Sequence, residues 1–159
     1  MRRRIIILSS LIVILVVSLN VHAQDSSAEL DRITDALVNA VQEELPGWSH
    51  KVIAPMEGSR DVSIIQWASG NKAVSVTLVG HASDAEARQR VKEFVADLKA
   101  DEQLADTGDE GYSWSTSAAL IFRRGRVTVN VQVRGDDLKD EKRLSKQFAR
   151  LAAAAISAP

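Results

Sequence analysis

From Leu30 onward the apolar positions fall at steps of three and four, through Ile33, Leu37, Val41 and Leu45, until Pro46-Gly47 interrupts them. That spacing lines one face of a helix, and Ser26 followed by Glu29 has capping-box spacing at its start. Val62 to Ala68 is apolar and β-prone, Ser69-Gly70-Asn71 is a turn sequence, and Val74, Val76 and Leu78 then alternate with Ser75 and Thr77. A period of two on the far side of a turn predicts a β-hairpin. Gly80 closes it, Ser83 and Glu86 form a second capping box, and Ala87, Val91, Phe94, Val95 and Leu98 make another helical stripe.

The same plan recurs downstream. Ala118 to Phe122 reads as a strand, Arg124-Gly125 as a tight turn, and Val127, Val129, Val131 and Val133 alternate with Thr128, Asn130, Gln132 and Arg134. Gly135-Asp136-Asp137 offers a cap, and Leu144, Phe148, Leu151 and Ala155 supply the core-facing side of a last helix. Val74 to Gly80 laid over Val129 to Gly135 shows the same strand and the same closing glycine. An internal duplication or the convergence of two ordinary strand–helix units would each produce this likeness. The pattern predicts an α+β domain with a four- or five-stranded antiparallel sheet, in the order α-ββ-α-(β)ββ-α, the optional strand being Tyr112 to Ser115. Helices two and three are expected on the valine face. The first helix is expected either on the second face, giving three layers, or at an edge, and the polar residues of the long strands argue against full coverage of that face.

Ahead of this domain, Met1-Arg2-Arg3-Arg4 gives a basic start, Ile5 to Leu19 is almost wholly apolar, and Val21-His22-Ala23 supplies small residues at signal-peptidase positions. The apolar run is shorter than the roughly 20 residues that span a bilayer and carries Ser9, Ser10 and Ser18, so residues 1–23 read as a signal peptide and 24–159 as a single domain. An uncleaved anchor would still place the domain outside the cytoplasm, in the periplasm or beyond. The arginines lack the polar context of a twin-arginine signal. The chain has no cysteine, which removes disulfides, thiol catalysis, thiolate metal sites and lipidation of an N-terminal cysteine. Without Arg2, Arg3 and Arg4 the 20 basic residues become 17 against 21 acidic ones, a net charge of about −4 that disfavours nucleic acid and anionic membrane surfaces as partners.

No complete catalytic set is legible. Gly111-Tyr112-Ser113-Trp114-Ser115 approaches a nucleophile elbow but lacks the closing glycine that lets strand and helix meet around the serine. His50 and His81 each sit near a turn and read as exposed surface residues; a fold that gathered His81 with the Asp109-Glu110 loop would instead assemble a hydrolase site. Asp106 to Gly111 invites comparison with a calcium loop, yet Gly108 occupies a ligand position and Ser117 stands where a bidentate glutamate should close it. Nothing supplies a cofactor-binding set. Arg123, Arg124 and Arg126 cluster at the second hairpin's tip, where Arg123 and Arg124 are expected to pair with Asp109 and Glu110. Trp48, Trp67 and Trp114 read as core or boundary residues. The most promising binding surface is the polar row Thr128, Asn130, Gln132 and Arg134 together with Ser75 and Thr77, which shares one face if both strands lie in one sheet.

Gly108-Asp109-Glu110-Gly111-Tyr112 followed by Phe122-Arg123-Arg124-Gly125-Arg126-Val127-Thr128-Val129 resembles a pattern in small secreted bacterial domains, many of uncharacterised function. The element order is also similar in layout to α/β domains of the PsbP and Mog1 kind. The resemblance implies an envelope or secreted protein of binding type, and it implies no reaction. The expectation is an exported module that binds an envelope protein or a small ligand without catalysis, with no stable membrane span after cleavage. Its competitors are a small hydrolase assembled from distant residues and an assembly subunit that docks through its first helix.

Overall fold

The computed structural model describes residues 27–54 and 61–158. Residues 1–23, read above as a signal peptide, and Ser26, expected as a helix cap, lie outside the described residues. Helix α1 (27–44) leads into β1 (Ser49–Ile53), β2 (Val62–Ser69) and β3 (Lys72–Gly80). Helix α2 (Asp84–Leu98) follows, then β4 (Glu102–Leu104), β5 (Glu110–Ser113), β6 (Ala119–Arg124), β7 (Val127–Arg134) and α3 (Leu138–Ser157). The strands form one antiparallel sheet in the order β1-β2-β3-β7-β6-β5-β4. The class is therefore α+β, with seven strands in place of four or five. The optional strand is β5, starting two residues earlier than Tyr112. The additional β1 and β4 are the sheet's outer edges. Their side chains are mostly exposed, so neither carries the alternation that a half-buried strand would show.

Registers fix which residues share a face. Val76 pairs with Ile65 and with Val131, and Val131 pairs with Leu120, so these side chains project to one side together with Trp67, Val74, Leu78, Phe122, Val129 and Val133. This valine face is covered by α1 and α3, not by α2 and α3 as the pattern suggested. Leu30, Ile33, Leu37 and Val41 of α1 join Leu144, Phe148, Leu151 and Ala152 of α3 in the main core. Phe148 meets Trp48 and Trp67 edge-on, with ring centroids 5.8 and 5.1 Å away. Helix α2 buries only Ala87 and Val91. At roughly 1.5–3 kcal/mol per large apolar side chain buried, α1 and α3 each draw several times more from the valine face than α2 would, and α2 lies on the opposite, polar face against β6 and β7. The result is three layers, with the helix assignments exchanged.

The two hairpins coincide when 55 is added to each residue number of the first. Trp67↔Val74 maps onto Phe122↔Val129, Ile65↔Val76 onto Leu120↔Val131, and the turn residue Gly70 onto Gly125. Both glycines open a two-residue loop with positive φ, 59° and 55°, as a type II′ hairpin turn requires. Val76 and Val131 are themselves partners at the centre of the sheet, so the hairpins are related by a local two-fold. The helices do not follow it, since α2 and α3 occupy opposite faces. That departure leaves one half of the polar face bare.

Candidate functional site

The path of α2 decides what the polar face offers. The helix starts beside β7. Ser83 caps it, its hydroxyl accepting from the Glu86 amide at 3.2 Å, while the Glu86 carboxylate accepts from the Ala82 amide at 3.1 Å. His81, just ahead of the cap, is buried rather than exposed, with Nε2 3.0 Å from Thr128 Oγ1 and Nδ1 3.8 Å from Glu86. The helix then runs diagonally towards the β5 side of the sheet, where Trp114 Nε1 donates to the Leu98 carbonyl at 2.7 Å and the Trp114 ring meets Phe94 edge-on. Beyond it the Ser115 amide and hydroxyl donate to Asp101, and these bonds hold its carboxyl below the usual carboxylate range.

All six residues of the predicted polar row project to this face, since Ser75 pairs with Gln132, Thr77 with Asn130, Val79 with Thr128 and Ala73 with Arg134. They are not equally accessible. Along β7, Thr128 is buried beneath α2, Asn130 is half-buried, and Gln132 and Arg134 are exposed. Thr128 is therefore a packing residue bonded to His81 and drops out of the surface. Ser75 and Thr77 are half-buried.

Where α2 has moved away, a groove of about 500 Å³ crosses β7, β3, β2 and β1. Its floor consists of two rows. Lys51, Gln66, Ser75 and Gln132 are successive partners across four strands, and Ser49, Ala68, Ala73 and Arg134 form the adjacent row. The hollow exists because three members of the second row are small. Gln66 and Lys51 were not legible as site residues, the first lying within an apolar run and the second on an edge strand without alternation. A smaller cleft of about 240 Å³ lies between α2 and the sheet, lined by Phe94, Leu98, Trp114 and Ala119, with Asn130 and Gln132 below. Gln132 lines both, so the two hollows share a border. Lys51 and Arg134 are the cations of the larger groove, and among the described residues no acidic residue lines it and neither cation pairs with a carboxylate.

The remaining candidates are engaged elsewhere. Arg123 is buried and donates to Glu110 at 3.3 Å and to Asp109 at 3.2 Å, as the charge pattern suggested. Arg124 does not join them but donates to the Ala153 carbonyl of α3 at 3.0 Å. Asp109 also accepts from the Gly125 amide at 2.8 Å. Tyr112 donates to Glu110 at 3.1 Å, and burial followed by the Glu110 contact pushes its hydroxyl pKa up. Thr128, His81 and Glu86 are arranged hydroxyl–imidazole–carboxylate, but none of them lines either hollow. His81 makes no hydrogen bond to Asp109 or Glu110, whose carboxylates are taken by Arg123. The described residues contain no group of three or more His, Asp and Glu placed to hold a metal ion, and no helix among them is long and apolar enough to cross a membrane. Comparison with family models, with curated proteins and with solved structures returned no match.

Proposed function

We propose that the protein is an exported, non-catalytic binding module whose ligand occupies the groove on the bare half of the polar sheet face. The observation that carries this reading is the groove itself, where Lys51 and Arg134 meet no carboxylate among the described residues and Gln66, Ser75 and Gln132 present donors and acceptors in a row. A concave site with a few convergent polar groups is the ordinary form of a small-ligand site. The hydrolase reading loses its support because His81 is buried against Thr128 and makes no hydrogen bond to Asp109 or Glu110, whose carboxylates accept from Arg123. The docking reading of α1 loses its surface, since Leu30, Ile33, Leu37 and Val41 are spent in the interior.

The test is a heteronuclear NMR screen of the mature domain against a small-molecule fragment set. Shift changes should converge on Lys51, Gln66, Ser75, Gln132 and Arg134. Arg134→Ala and Gln132→Ala should weaken the hits while changing stability by less than about 0.5 kcal/mol, as is usual at exposed positions. Hits that gather elsewhere, or binding unaltered in both variants, would remove the groove reading.

A further inference from the structure

Resting on that reading of the groove, we infer that its ligand is an anionic amphiphile: an acid group neighboured by hydroxyls and carrying a short apolar chain. Each part of this description has a counterpart on the polar face. An acid group suits Arg134 and Lys51, which bring two positive charges to a groove that no carboxylate lines among the described residues. Guanidinium is well matched to oxyanions because its donors lie in a planar fork. Hydroxyls suit Gln66, Ser75 and Gln132, whose side chains both donate and accept. The apolar chain suits the adjoining cleft, where α2 leaves Leu98 52% exposed beside the half-buried Phe94 and Trp114. The cleft shares Gln132 with the groove, so one molecule can reach both.

Dimensions agree. From Ala119 on β6 to Lys51 on β1 there are four strand spacings, about 19 Å at the usual separation. That is more than a lone phosphate or carboxylate fills, and the polar floor would be poorly matched to a wholly apolar ligand, whose contact with it would leave amide and hydroxyl groups without partners.

The probe is dihexanoylphosphatidylglycerol, titrated into the mature domain below its micellar concentration and followed by NMR. Glycerol 1-phosphate serves as the control without chains and dihexanoylphosphatidylcholine as the control without net charge. Shift changes should appear at both Arg134 and Leu98, and each control should bind at least tenfold more weakly. Arg134→Gln should weaken the phosphatidylglycerol by at least fivefold and leave the phosphatidylcholine unchanged. Leu98→Ser should weaken the phosphatidylglycerol and leave glycerol 1-phosphate unchanged, with unaltered circular dichroism showing that both variants fold. Equal binding of glycerol 1-phosphate would overturn the amphiphile, as would equal binding of the phosphatidylcholine or no binding at all. The fragment screen separates the failures: fragments still seated in the groove would mean that only the ligand class is wrong.

Discussion

Arg123 enters the protein interior with its charge answered locally, by Glu110 on the neighbouring strand and Asp109 one residue before it. Removing one partner from such a pair leaves the other charge desolvated, which is why the cluster reads as a structural clamp rather than a reagent. Tyr112 reports on it, being the only tyrosine of the chain. Burial raises its hydroxyl pKa most, and the hydrogen bond and negative charge of Glu110 raise it further. The fold thus favours the protonated phenol. Its contribution is full below the ordinary tyrosine value and is lost as pH rises from there through the raised folded value. An ultraviolet absorbance titration should place the phenolate transition above that ordinary value. Glu110→Gln should bring it only part of the way back, since burial is the larger cause. A transition at the ordinary value in the wild type would contradict the geometry drawn around Glu110.

At the scale of elements, the matching hairpins make a paired prediction. No heavy atom lies within 4 Å of a Cβ built on Gly70, and at Gly125 the nearest is an Asp84 oxygen at 4.0 Å. Gly70→Ala and Gly125→Ala should therefore lose stability through backbone strain alone, about 1–3 kcal/mol each. Chemical denaturation measures it, and losses differing by more than about twofold would mean that the two turns are not equivalent. These hairpins and the caps at Ser83 and Asp137 were legible because alternation, a turn glycine and a hydroxyl or carboxylate before a helix are local signals. β1 and β4 were not, because an edge strand washed on both faces leaves no alternation to read. Nor was the side of the sheet that each helix takes. A helical stripe states that it is buried, while the choice of face depends on how much apolar surface its competitors bring, and α1 with α3 outweighed α2. The polar row was visible as a row, but the loss of Thr128 from it came from α2's diagonal path, a contact between elements far apart in sequence.

For the whole molecule, a two-fold pair of hairpins is dressed by helices that ignore the two-fold. The polar face is roofed over β6 and the first half of β7 and open from the end of β7 across β3 and β2 to β1, and the groove is the consequence. The reading as an exported protein predicts that the cell envelope or medium contains a chain beginning at Gln24, which intact-mass analysis of the purified protein would reveal. A full-length chain recovered from the cytosol would contradict export without touching the groove. The uneven roofing can be tested without any ligand, because the protein has no cysteine and any introduced thiol reacts alone. The decisive measurement is the rate of thiol modification in Ala68→Cys, Gln132→Cys and Thr128→Cys under native conditions. Ala68→Cys and Gln132→Cys should react at rates close to that of a free thiol, and Thr128→Cys at least a hundredfold more slowly. Comparable protection at all three positions, or comparable exposure, would contradict a sheet face that is covered on one half and open on the other.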